Sequence, residues 1–189
     1  ENLSAILKSS RADNHPVAIR DVAILTFSQF KNDVMVFKVP TTPCRVALSI
    51  EDSYDFLVAL YALLLAECVI VFLPNVRGDT LNKFATQFDV LVDGSYNNFT
   101  GLVTKRHIKP DIQNLYFYTS GSTAEPKCII KTIGMIEREL ETLDHTWGFG
   151  QNNEFSAVYA TVPHYHFYGL IFRLLLPFAS GIAFSTVTY

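Results

Sequence analysis

Thr119, Ser120, Ser122 and Thr123 surround Gly121, and Lys127 follows directly behind Pro126. Four hydroxyls around one glycine, closed by a lysine, suit a polyphosphate. Hydroxyls and backbone N–H groups donate to the oxygens, and the ammonium supplies a point charge. Apolar runs at 115–118 and 128–130 lead in and out, so a strand, a tight polar loop and a second strand are expected. Ser, Thr, Gly and Pro are also ordinary turn residues, but the ordered Thr-Ser-Gly-Ser-Thr with Pro-Lys behind it argues for more than a turn. Common phosphate-loop patterns do not fit. A Walker A loop needs a second glycine before the lysine and Ser or Thr after it; those places hold Pro126 and Cys128. A dinucleotide fingerprint needs three spaced glycines. A nucleophile elbow needs glycine two residues either side of a serine, and Ser122 has Ser120 and Ala124 there.

A second group of chemistry-bearing residues follows at 164–173. His164 and His166, two apart on a strand, would point to one face and could ligate a metal, but no third ligand of matching spacing is present. For His166 the bland reading is a hydrogen-bonded histidine at a strand end. Ser120 or Ser122 with His166 would make a hydrolase pair, yet nothing fixes an acid partner or an oxyanion hole. Phe167, Tyr168 and Phe172 could line an apolar pocket, although an aromatic run is more often core. Arg173, in an apolar helix, either pairs with a carboxylate or snorkels to solvent, and no role is assigned to it.

The elements that must position these residues alternate between strand and helix. Apolar pieces at 17–20 and 22–25 flank Asp21 as a small hairpin. Thr26 and Gln29 form a capping-box pattern for a helix through the thirties, which Pro40 and Pro43 end. Strand 45–50, helix 53–66 and strand 68–72 follow. Asp79 caps a helix over Leu81, Phe84 and Phe88, and 90–92 is a short strand. The polar stretch 93–111 is a connector with one short strand at 102–103. Strands 115–119 and 128–132 flank the hydroxyl loop. A helix over 135–146 exposes Glu137, Glu139 and Glu141 as a solvated face. Strand 157–161, helix 169–176 and strand 182–185 complete the pattern. This alternation predicts an α/β fold with a mostly parallel sheet covered by helices on both faces. Ligands bind such sheets at the carboxyl ends of strands, where the Thr119 loop sits.

Composition agrees. Of 189 residues, 49% are hydrophobic and 17% charged, enough for a core and too apolar for disorder. A net charge of −3 argues against nucleic acid as the main partner. Residues 56–73 are almost continuously apolar, but Glu67 interrupts them and the composition shifts from Leu/Ala to β-branched. A buried helix running into a buried strand is therefore expected rather than a membrane span. Cys44, Cys68 and Cys128, an odd and widely spaced set beside apolar residues, read as buried thiols of a reducing, cytoplasmic compartment. The chain opens on Glu1 rather than Met, as expected of a trimmed end.

Residues 118–123, with Pro126 and Lys127 in register, resemble the signature loop Tyr-Thr-Ser-Gly-Ser/Thr-Thr-Gly-x-Pro-Lys-Gly of the adenylate-forming enzymes: acyl-CoA synthetases, luciferases and peptide-synthetase adenylation domains. Residues 45–73 resemble that family's early strand–helix–strand block, and 162–181 its Pro-x-x-His-x-x-Gly-Leu segment. Ala124 and Cys128 depart from it, standing where glycine is usual; an alanine held at positive φ is strained by about 1 kcal/mol or more. The resemblance implies the N-terminal portion of the large domain of an adenylate-forming ligase. A nearly complete α/β subdomain would span 44–150, and an incomplete second sheet would come from 1–43 and 151–189. It implies that Thr119, Ser120, Gly121, Ser122, Thr123 and Lys127 hold ATP phosphates. It also implies that His166 borders the acid pocket and that Gly169 leaves room for substrate. The family's ribose-binding aspartate and late catalytic lysine lie downstream of the part matched here.

The implied reaction is activation of a small carboxylic acid by ATP to an acyl-adenylate and pyrophosphate, then transfer to coenzyme A or a carrier-bound phosphopantetheine. Mg2+ would be carried by the ATP phosphates; no protein ligand for it is evident, nor is any catalytic residue certain in these 189. Alone they are expected to be inactive, to lack a membrane partner, and to meet the downstream part of their own chain or self-associate. The alternative is a non-catalytic phosphate-binding or protein-interaction module.

Overall fold

The computed structural model describes residues 1–94, 98–105, 107–112, 114–119, 127–149 and 157–189. The strands form two sheets. Strands β1 (Pro16–Arg20) and β2 (Ala23–Thr26) make the expected hairpin about Asp21, whose φ of 55° turns the chain. Thr26 then caps α1 (Phe27–Val36): its hydroxyl accepts from the Gln29 N–H while the Gln29 side chain accepts from the Thr26 N–H, closing the capping box. The helix stops at Val36, ahead of both prolines.

β3 (Arg45–Leu48), α2 (Ser53–Leu65), β4 (Val69–Phe72), α3 (Gly78–Lys83) and β5 (Val90–Val92) lead to β6 (Asn114–Thr119) and β7 (Lys127–Thr132). Their sheet runs β5-β3-β4-β6-β7, parallel except for β7. The apolar run 56–73 is α2 followed by β4, and no helix among the described residues is long and apolar enough to cross a membrane. Every residue of α2 except Asp55 is buried. A helix apolar on all sides needs neighbours on all sides, and α2 has them in β4, in α1 and in α6 (Leu176–Ser180). Phe56 meets Phe72, and Tyr61 meets Phe30 and Phe178 with centroids 5.3 and 5.7 Å away.

Alternation along the strands splits the sheet's faces. Val46, Leu48, Ile70, Phe72, Leu115 and Phe117 join the main core with α2, while Ala47, Val71 and Leu73 pack on Phe84 and Leu81 beyond the opposite face. Asp79 lies inside the first turn of α3, not at its cap, and that helix ends at Lys83 short of Phe88. In place of a strand at 102–103, Gly101 makes a single bridge to Val39. α4 (Ile133–Trp147) carries the three glutamates, but only Glu141 is exposed: Glu137 accepts the Ser4 N–H at 2.7 Å and Glu139 pairs with Lys131 at 2.7 Å.

The second sheet, β2-β1-β9-β8, joins the hairpin to β9 (Ala183–Ser185) and β8 (Ala157–Val158), with β1, β9 and β8 parallel. Between β8 and β9 the chain is helical from 167 rather than 169: α5 (Phe167–Gly169), a π-helical turn (Leu170–Leu175), then α6.

Candidate active site

β3 leaves the first sheet towards α2 on one face, and β4 leaves it towards α3 on the other. A crevice opens between divergent exits of this kind at the carboxyl edge of a parallel sheet. A cavity of about 770 Å³ lies there, walled by Ser49 and Glu51 after β3, Asn75 and Arg77 after β4, and Asp93 after β5. His166 completes it from the second sheet's side. It is exposed, stands at the N-cap of α5, and its carbonyl accepts the Leu170 N–H at 2.8 Å.

Thr119 and Lys127 face one another in register as the last residue of β6 and the first of β7, both exposed. The Thr119 hydroxyl donates to the Lys127 carbonyl at 3.5 Å. β6 is parallel to β3 and β4, so this pair stands on the same carboxyl edge as the cavity. Ser120, Gly121, Ser122, Thr123 and Ala124 lie outside the described residues. Cys128 is half-buried in β7 opposite Tyr118. The start of α5 is fastened to β6: the Phe167 ring meets Phe117 at 5.0 Å, and the Lys131 ammonium sits 4.4 Å from the Phe167 ring centre. The strand bearing Thr119 and the turn bearing His166 are therefore neighbours.

His164 does something the sequence did not announce. It is 1% exposed, with Nε2 2.8 Å from the Ile50 carbonyl and Nδ1 3.0 Å from the Ser53 hydroxyl. A carbonyl only accepts, so Nε2 carries the proton and Ser53 donates to Nδ1. Burial pushes the imidazole pKa down to about 4; the nearby Arg173 charge lowers it further, against the raising effects of the Ile50 carbonyl and Asp52. Both nitrogens are thus engaged by protein partners, so neither is free to ligate a metal. Among the described residues no cluster of three His, Cys, Asp or Glu side chains could hold a metal.

Gly169 is buried, and a Cβ there would lie 2.0 Å from the Pro163 carbonyl oxygen. The space where a Cβ would stand is filled by this backbone, and the glycine lets α5 close on the Pro163–His166 turn. Tyr168 is 63% exposed and its ring lies tilted against the half-buried Phe172 at 4.6 Å, with Trp147 on Phe172 at 5.5 Å. The core reading holds for neither ring in full. Arg173 neither snorkels nor meets a carboxylate among the described residues: it is 1% exposed and donates to the Val162 and Thr186 carbonyls.

The cysteines, far apart in sequence, include one pair close in space. Cys44 and Cys68 precede the paired residues Arg45 and Val69, which brings them side by side at the start of neighbouring strands. Burial pushes both thiols up, Cys68 to about 11. All three are free, but only Cys68 is buried.

The sequence of residues 79–188, more than half of the chain, matches the family described as AMP-binding enzyme. A medium-chain-fatty-acid–[acyl-carrier-protein] ligase of Moorena producens is 37% identical over 78 residues, 39% of this chain and 13% of that protein. The o-succinylbenzoate CoA synthetase of Bacillus subtilis, in complex with its acyl-adenylate intermediate, superposes with a TM-score of 0.78 at 15% identity, over 98% of this chain and 55% of that one. Apo MatB of Rhodopseudomonas palustris gives 0.74 at 15% identity, over 100% of this chain and 45% of that one. The chain spans about half the length of these two structures, and at such identities they share its fold. With its α/β architecture, its loop neck at the carboxyl edge and a family match over most of its second half, the chain belongs to the AMP-binding, adenylate-forming enzymes.

Proposed function

We propose that the protein activates a carboxylic acid with ATP. The carboxylate attacks the α-phosphorus, giving an acyl-adenylate and pyrophosphate; coenzyme A or a carrier-bound phosphopantetheine then takes the acyl group. The observation that carries this reading is the Thr119–Lys127 neck. It places a hydroxyl and an ammonium, both exposed, on the sheet edge that also bears the His166 cavity. Thr119, Ser120, Gly121, Ser122, Thr123 and Lys127 would hold the phosphates while charge develops on the departing pyrophosphate. Preorganised donors of this kind lower barriers by roughly 2.7–4 kcal/mol each. Mg2+ carried by the phosphates would supply further charge neutralisation. His166 would border the acid. The relatives' names, a fatty-acid carrier-protein ligase and a CoA synthetase, support an acid substrate and a thiol acceptor.

Residues 44–150 would form one subdomain around the five-stranded sheet, and 1–43 with 151–189 a second around the four-stranded sheet. Free thiols suit a reducing compartment, the cytoplasm. The 189 residues alone are expected to be inactive, because they span only half of such a ligase.

The test is ATP–pyrophosphate exchange in the full ligase. Lys127→Ala should slow exchange by about 10²–10³-fold while leaving the affinity for the acid nearly unchanged. Exchange at the wild-type rate would remove the assignment.

A further inference from the structure

The turn from Val162 to His166 has three fastenings. Gly169 presses on the Pro163 carbonyl, and the His164 ring is held by Ile50 and Ser53. The third is Arg173. Its Nη1 donates to the Val162 carbonyl at 3.0 Å and to the Thr188 hydroxyl, and its Nη2 donates to the Thr186 carbonyl at 3.4 Å. One guanidinium thus grips the segments that leave the carboxyl ends of β8 and β9, two parallel neighbours. Those segments face each other across a cavity of about 590 Å³, with Pro163 and Tyr165 on one side and Thr186 and Thr188 on the other. That cavity shares Glu51 and Tyr165 with the larger one, which His166 completes.

Packing alone does not account for an arginine here. A buried cation without a carboxylate is expensive, and an apolar side chain of similar length would fill the space more cheaply. The carboxylate whose field reaches Arg173, Asp52, is engaged by Arg20 at 2.7 Å. What only a planar fork supplies is simultaneous donation to separate backbone segments. The arginine also sits in a π-helical turn, a rare feature frequent at functional sites.

We propose that Arg173 is a positioning residue for acid activation, fixing the distance between the 162–166 and 186–188 segments and so the place of His166 at the acid. This rests on the acid-activating reading above. The fork acts through backbone, so it sets the shape of the acid site and leaves the phosphate site, on β6 and β7, untouched.

Arg173→Met and Arg173→Lys test it with two readouts. In hydrogen exchange on the 189-residue chain, Arg173→Met should speed exchange in peptides covering 162–166 and 186–189 at least tenfold, and leave the β3–β4 strands at wild-type protection. Lysine, with one ammonium, should recover part of that protection. In the full ligase, ATP–pyrophosphate exchange with octanoate and with benzoate as probe acids should show the acid KM raised at least tenfold in Arg173→Met, with the ATP KM within twofold of wild type. A merely structural arginine would lower kcat with both KM values unmoved, and that result overturns the proposal, as does wild-type protection of the two segments. A wild-type ligase inert with both acids would count against the acid-activating reading. Hydrogen exchange would still decide whether Arg173 holds the segments together.

Discussion

Lowering the pH should loosen the join between the two sheets through one residue, His164. Its ring is buried and neutral, donating to Ile50 and accepting from Ser53. The folded-state pKa is depressed from 6.5 to about 4, burial being the main cause. Between these values the unfolded chain binds a proton that the folded one does not, so stability rises with pH across that window. The contribution is complete above the unfolded pKa and is lost as the pH falls towards the folded one. From pH 7.5 to 5.0 the difference in proton binding integrates to about 2 kcal/mol, or about 4–8 °C in Tm for a chain of this size. His164→Gln supplies the control: its amide can donate and accept at the same two partners but does not titrate. Urea or thermal unfolding at both pH values should show the fall in wild type and little of it in the variant. The carboxylates that the fold depresses, Glu67 and Asp89, lose their contributions below pH 5 and so fall outside the comparison. Equal pH slopes in the two proteins would refute the account of a neutral, doubly bonded imidazole.

Two further substitutions probe the same region. Gly169→Ala must open a 2.0 Å approach to the Pro163 oxygen by more than 1 Å; overpacking against backbone should cost about 1–3 kcal/mol or more, and a Tm unchanged from wild type would show that α5 is free to move. Asp52 both caps α2, accepting from the Tyr54 and Asp55 N–H groups, and pairs with Arg20. Asp52→Asn keeps a capping oxygen and should cost under about 1 kcal/mol, whereas Asp52→Ala should cost about 1–2 kcal/mol; denaturation midpoints that fall equally in the two would mean that the ion pair, not the cap, dominates.

What could be read from sequence was local. The hairpin at Asp21 and the capping box at Thr26 are decided within five residues, and both form. The switch from Leu/Ala to β-branched residues after Ala66 located the end of α2 and the start of β4, though the turn itself uses Glu67 at a φ of 61° where glycine would be easier. The strands flanking the hydroxyl loop were legible: Thr119 ends β6 as expected, and β7 starts at Lys127, one residue ahead of the expected 128. The contacts missed are long-range. Ser53 and His164 are 111 positions apart, and Ser53 read as an ordinary helix start. Arg173 was illegible for another reason: in an apolar helix its sequence looks the same whether it snorkels or grips backbone carbonyls. Cys44 and Cys68 are brought together only by the parallel register of β3 and β4.

The contacts of His164 and Arg173 share a place. Each sheet satisfies its own backbone, so hydrogen bonding within sheets says nothing about how one sheet sits on the other. Apolar packing of α1, α2 and α6 brings the two together but is non-directional and would tolerate small slides. The polar links do not. Arg20 of β1 reaches Asp52 and Asp55 at the start of α2, and the His164 ring spans from the second sheet's turn to Ser53 and Ile50. Arg173 ties the turn to the segment after β9. All lie near the carboxyl edges, where the cavity and the Thr119–Lys127 neck are. A site assembled from two sheets requires their offset to be fixed to fractions of an ångström, because a misplacement of about 1 Å can cost 10²-fold in rate. Directional bonds at the shared edge meet that requirement more directly than additional core would.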